Sequence, residues 1–241
     1  MQQGELMLNE ALMNLLLMAI CYLYILVAIL VSSKINKFLP ISRKTSRKFL
    51  HIMIGNLAFI IPFFTFKYYP ILVAAPFIPV TFLASPFSPF KNLAKALRGL
   101  RDITEGGHPL GLVFYALSYT VLALFFASQP LVVAAGVLPM AYGDSAAARI
   151  GERYGRIRYR FFAEKSLEGS IAMFLASFLS FMTSLFFFSS LYSFSVSRGI
   201  LSAFMVAVVA TFVESLSPKG LDNLTVPILS ALTFLMIDGG F

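Results

Sequence analysis

The sequence predicts an all-α, polytopic helical membrane protein with about eight transmembrane spans and both termini outside. Three observations lead there. The 241-residue chain is 59% hydrophobic and only 12% charged, with 26 Phe, and its mean hydropathy is +0.83. A soluble exterior must face water and cannot carry that much apolar surface. Apolar runs near the ~20 residues that a helix needs to cross hydrocarbon recur along the chain. The cations also alternate from loop to loop.

The expected spans are 11–32, 49–66, 69–87, 109–127, 130–148, 169–190, 199–216 and 224–240. The segment before the first is acidic (MQQGELMLNE), unlike the basic flank of a secretory signal. Cys21, the only cysteine, lies inside that span and reads as packing. The second span follows a loop with Lys34, Lys37, Arg43, Lys44, Arg47 and Lys48. The third contains Pro76, Pro79 and Pro86, with Pro89 just beyond, and is expected to be two half-elements or re-entrant. After it come Lys91, Lys95, Arg98 and Arg101. The fifth span leads into Arg149, Arg153, Arg156, Arg158, Arg160 and Lys165, and Lys219 precedes the last. The opposite loops hold only Lys67 and Arg198. Positive loops stay on the cytoplasmic side, which sets the expected orientation. The net charge of +8 is thus a matter of topology, and no nucleic-acid partner is expected. With no internal repeat and no soluble insertion, residues 1–241 read as one membrane domain in contact with the surrounding lipids.

The polar clusters all fall at the expected cytoplasmic ends of spans, which suits an enzyme using a cytosolic anion. A transporter would place such groups near the midplane. In SRKFLHIMIGN (46–56), Arg47, Lys48 and His51 share a helical face. They are suited to holding phosphate oxygens or orienting a lipid hydroxyl. In GDSAAARIGERYG (143–155), Gly143, Ala147 and Gly151 form a ridge of small residues that lets a bulky group or another helix approach. Packing does not explain Asp144. Its natural use is to hold a Mg²⁺ that binds nucleotide phosphates. The arginines that follow, Arg153 among them, suit phosphate through their planar forks. Lys165 and Ser166 precede a helix start beside Glu168, where an anion is favoured. In ESLSPKGLDNLTVPI (214–228), Glu214 ends one span and Asp222-Asn223 open the next. His51, Glu214 and Asp222 are the candidates for removing or orienting a hydroxyl proton. Glu105 and His108 are given a secondary role.

Taken together, RKFLH, GDSAAARIGERYG with EKSLEGS, and E…LDNLTVP resemble the dolichol, phytol and polyprenol kinase family, over residues from about 45 to 228. The family pattern D-x-x-A-x-x-x-G is matched by Asp144, Ala147 and Gly151. Lys165, Ser166, Glu168 and Gly169 match a second element, and Arg47, Lys48 and His51 a third. With a single span before RKFLH, the chain looks like the compact phytol and polyprenol kinases. The resemblance implies CTP as phosphoryl donor, with the site around 143–169, and an isoprenoid alcohol acceptor such as farnesol, geranylgeraniol, phytol or a polyprenol. It also implies a cytoplasmic-side site in a prokaryotic or equivalent membrane. A cytidylyltransferase or diacylglycerol kinase acting on a lipid is the alternative, and a lipid transporter stands behind both.

Overall fold

The computed structural model describes residues 2–38, 42–97, 99–100, 108–194, 196–218 and 220–238; Arg98, Arg101, Glu105 and Lys219 lie outside the described residues. In chain order these form α1 (Gln2–Phe38), α2 (Arg43–Gly55), two 3-10 turns (Asn56–Phe59, Ile61–Phe63), α3 (Tyr68–Ala74), α4 (Phe77–Ala84), α5 (Lys91–Ala96), α6 (Gly111–Phe126) and α7 (Pro130–Leu138). A π-helical turn (Pro139–Gly143) leads into α8 (Asp144–Tyr154), followed by β1 (Arg158–Arg160), β2 (Glu164–Ser166), α9 (Leu167–Ser189), α10 (Val196–Leu216) and α11 (Asp222–Asp238).

Among the described residues, four helices are long and apolar enough to cross a membrane: Leu6–Ile35, Pro130–Tyr154, Leu167–Ser189 and Gly199–Leu216. The expected third span is interrupted between α3 and α4, where Ala75 and Pro76 break the helix and leave two half-elements. The second expected span is α-helical only to Gly55 and then tightens into the 3-10 turns.

The α7 helix is apolar on every side, and all nine of its residues are buried, as expected of a helix surrounded by others. Its closest neighbours come within backbone range. A Cβ at Gly136 would stand 2.5 Å from the Pro227 carbonyl oxygen of α11 and 2.6 Å from Leu122 of α6. The π turn carries the chain from this core into α8 without a break, and widened turns of this kind recur at functional sites. The Ser145 hydroxyl donates to the Ala141 carbonyl at 2.6 Å and lies 3.2 Å from the Lys48 carbonyl, linking α8 to α2.

The ridge of small residues faces α9. A Cβ at Gly143 would stand 2.7 Å from the Met173 sulfur, and one at Gly169 would lie 3.1 Å from the Ala147 carbonyl. Edge-on packing of Phe181 against Phe234, with ring centroids 5.3 Å apart, holds α9 to α11.

The basic stretch 149–165 departs from the expected loop. It begins as the last turn of α8 and then forms an antiparallel hairpin pairing Arg158 with Ser166, Tyr159 with Lys165 and Arg160 with Glu164. Three-residue strands are too short to show periodicity in a sequence. The hairpin is secured by tertiary contacts: the Glu168 carboxylate accepts from the Arg156 and Ile157 N–H groups at 3.0 and 3.3 Å.

The packing at Gly136 generates a direct expectation. Gly136→Ala forces a methyl group into a space bounded by backbone and should lower stability by about 1–3 kcal/mol. Gly99→Ala, whose Cβ would meet only Ser33 at 3.4 Å, should be near neutral. Thermal unfolding of both variants in one detergent checks this, and equal melting would show that the α7–α11 contact is looser than described.

Candidate active site

The site begins with α2. Ser42 caps the helix by accepting from the Thr45 N–H at 3.2 Å, so Arg47, Lys48 and His51 leave it on one side. Lys48 donates to the Asp144 carboxylate in an ion pair whose side chains are 13% and 7% exposed. A second pair of the same kind, Lys165 with Glu214, joins β2 to the end of α10, with exposures of 21% and 4%. Burying a carboxylate is tolerated when a cation and hydrogen bonds meet it, and breaking such a pair typically costs about 3–5 kcal/mol.

Both pairs face a cavity of about 630 Å³. Arg47 and Lys48 line it from α2; Asp144, Ala147, Gly151 and Glu152 from α8; and Arg158, Glu164, Lys165 and Ser166 from the hairpin. Gly169 and Ser170 of α9, Glu214 of α10, Asp222 of α11 and His108 complete it. Among the described residues the lining therefore holds four Lys/Arg and five Asp/Glu side chains. Ser166 also caps α9, its hydroxyl accepting from the Gly169 N–H at 3.1 Å.

Behind this wall lies a buried polar cluster. Among the described residues, the Arg47 Nε and Nη1, both His51 ring nitrogens and the Asn223 Oδ1 are buried without a hydrogen-bond partner. Arg47 and Asn223 converge on Gly111, where a Cβ would stand 3.3 Å from Nη1 and 3.1 Å from Nδ2. Gly220, at φ 89°, keeps the loop clear of His108; a Cβ there would lie 2.8 Å from that of His108. Unpaired buried groups are uncommon in native proteins and call for an explanation. A guanidinium with unpaired N–H groups at a cavity edge is suited to an anion.

The sequence-nominated residues do not all meet there. Arg47, Lys48, Asp144, Ala147, Gly151, Lys165, Ser166, Glu214 and Asp222 line one cavity. His51 lies behind it, fully buried and stacked on Tyr115 with ring centroids 4.7 Å apart. The Tyr115 hydroxyl donates to the His51 carbonyl at 3.0 Å. Asn223 is in the buried cluster, Gly143 sits against α9, and Glu168 secures the hairpin. Arg153 is exposed, its guanidinium 5.3 Å from the centre of the Tyr154 ring. Sequence reasoning missed Glu152 and Glu164 as cavity residues, and had treated Arg158 only as one of a group of loop cations. The Arg158–Glu164 pair, at 2.6 Å, comes from hairpin register, which no helical spacing reveals.

Burial alone works against the charged form of Lys165, but Glu214 outweighs it and the ammonium pKa is raised. In Glu214→Gln the burial remains and the counter-charge goes, so the Lys165 pKa should fall. Its rate of reaction with an amine-acylating reagent at mildly alkaline pH should rise severalfold over the wild-type rate. An unchanged rate would show that Glu214 does not hold that lysine.

Comparison with known proteins bears on what this cavity serves. No protein-family model matches the chain, and no solved structure does. Curated relatives do match. Phytol kinase from Synechocystis is 33% identical over 212 residues, 87% of this chain and 86% of the relative. Farnesol kinase from Arabidopsis thaliana is 31% identical over 53% of this chain and 42% of its own length. Dolichol kinase from Saccharomyces cerevisiae is 34% identical over 58% of this chain and 27% of its own length. The match to the Synechocystis protein runs through nearly all of both sequences, and the chain therefore belongs to the phytol, farnesol and dolichol kinase family of isoprenoid alcohol kinases.

Proposed function

We propose that this protein phosphorylates a membrane isoprenoid alcohol of the phytol, farnesol, geranylgeraniol or polyprenol type, with CTP as donor and CDP as leaving product. The observation that carries the reading is a cavity onto which Arg47 and two buried lysine–carboxylate pairs face together. In a family of kinases, such a space suits a chain of phosphates. Arg47 and Lys165 would hold its oxygens, with Ser166 and the N-terminus of α9 beside them.

Mg²⁺ fits this wall. Among the described residues the lining carries five carboxylates and four cations, and a triphosphate would add negative charge that a bound cation can offset. Mg²⁺ needs only one or two carboxylates when phosphates supply further oxygens. Asp144 is the first candidate to hold it, and the bound ion would offset phosphate charge. Catalysis of phosphoryl transfer is otherwise a matter of positioning and charge. The alcohol oxygen bonds to the γ-phosphorus as the bond to the β-phosphate oxygen breaks, and CDP leaves with that electron pair. Of the three candidates for taking the hydroxyl proton, His51 stands behind the wall and Glu214 is held by Lys165. That leaves Asp222, which lines the cavity and accepts the Asn223 N–H at 2.9 Å. His51 is then a positioning residue, packed under Arg47 and Lys48. The basic segments supply much of the lining, which supports a site on the cytoplasmic side with both termini outside.

Purified protein given labelled CTP and a panel of isoprenoid alcohols plus diacylglycerol should yield an alkyl monophosphate and CDP. Release of pyrophosphate would identify a cytidylyltransferase instead. Asp144→Asn should lower turnover by about 100-fold or more, and Lys165→Ala should raise the KM for CTP. Arg153→Ala should leave both within about twofold, since that side chain packs on Tyr154. Loss of activity in Arg153→Ala would mean that the cavity described here is not where the nucleotide binds. Orientation is checked separately with cysteines at two exposed positions, Ser42→Cys and Ser128→Cys. In sealed cells only the second should react with a membrane-impermeant thiol reagent, and the reverse pattern would invert the topology.

A further inference from the structure

A second cavity, of about 440 Å³, lies on the other side of Lys48. It shares Lys48, Ala148 and Glu152 with the larger polar cavity, so the two spaces meet at one wall. On α2 its lining residues Thr45, Lys48, Phe49 and Ile52 follow the i, i+3, i+4, i+7 spacing of a single helical stripe. Ala146 of α8 and Ala176 of α9 face that stripe.

The ends of this groove differ in chemistry. At the end near the start of α2, Arg149 Nη1 donates to Thr45 Oγ1 at 3.4 Å. At the other end, the Tyr142 hydroxyl donates to Asn56 Oδ1 at 2.6 Å. Between them lie Phe49, Ile52 and three alanines with Ser145, while Lys48 and Glu152 stand on the wall shared with the polar cavity. Ala176 sits in the apolar helix α9 beside Leu175, and Leu179 lies one turn on; these leucines are 51% and 61% exposed. A helix long and apolar enough to cross a membrane presents such leucines to lipid. The groove therefore runs from a lysine–carboxylate pair to a lipid-facing helix.

We infer that this groove, between α2 and the α8–α9 pair, binds the hydrocarbon chain of the acceptor alcohol. The chain enters sideways from the bilayer, and its hydroxyl end reaches Lys48, where the two cavities meet. This rests on the kinase reading above and adds where the acceptor lies. A further apolar cavity competes for the role. It is lined by α1, α2, α3, α4 and α6 residues, Ala116 and Tyr119 among them. It holds about 70 Å³ against about 440 Å³ for the groove, and among the described residues it shares none of its lining with the polar cavity.

The alanines make the inference testable, because a larger side chain fills the groove without touching the polar cavity. In Ala146→Phe and Ala176→Phe, the KM for geranylgeraniol should rise about tenfold or more, since several methylenes lose their contacts. The affinity for CTP should stay within about twofold, which also reports that each variant is folded. The KM for 3-methylbut-2-en-1-ol, whose short chain leaves most of the groove empty, should change much less. Ala116→Leu, in the competing cavity, should leave all three unchanged. Wild-type-like geranylgeraniol kinetics in both groove variants would overturn the inference while leaving the kinase reading intact. A raised geranylgeraniol KM in Ala116→Leu alone would do the same and assign the chain to the other cavity. Absence of CTP-dependent transfer to any alcohol by the wild-type protein would remove both.

Discussion

Asp144 opens a helix continuous with the wholly buried, apolar α7, and a carboxylate so placed needs a counter-charge delivered by another segment. Lys48 supplies it from α2. That single requirement fixes much else. It draws the start of α2 against α8, where the Ser145 hydroxyl reinforces the approach at the Lys48 carbonyl. It places Arg47 at the edge of the same space and His51 beneath it. The Lys165–Glu214 pair applies the same constraint on the far side, tying the hairpin to the end of α10.

Small residues make this charge arrangement sterically possible. Gly136 lets α11 come within backbone distance of α7, which sets Asp222 at the cavity. Gly143, Ala147, Gly151 and Gly169 let α8 and α9 approach closely, so the N-terminus of α9 opens beside Ala147 and Gly151 at the cavity. The ridge thus serves helix packing along its length, and part of it also borders the cavity. Gly143 packs against Met173, while Ala147 and Gly151 also line the cavity. Two spaces of different character then meet at Lys48, one rich in charged side chains and one mainly apolar. That arrangement suits a reaction between a water-soluble anion and a membrane-dissolved alcohol.

The membrane character and the helical class were legible because both depend on composition and on the period of apolar residues, which a chain carries locally. The break at Pro76 was legible too, since proline removes a helix donor wherever it stands. The residues nominated from RKFLH, the Asp144 segment and the Lys165 segment mostly converge on one cavity, because each motif concentrates charge where an apolar span begins or ends. Only tertiary structure decided which charge meets which. Lys48 and Asp144 lie 96 residues apart, and Lys165 and Glu214 lie 49 apart. Such pairings follow from helix packing, for which no local spacing stands in. The same holds for Arg153, which belongs to a phosphate-suited cluster in sequence yet ends on the outer face of α8 against Tyr154. It holds for His51, buried because α6 brings Tyr115 over its ring. The sequence alone determined the class of fold and the short list of polar side chains. The tertiary structure decided their partners and the apolar groove beside Lys48, because a cavity is the space left between helices and exists only once they have packed.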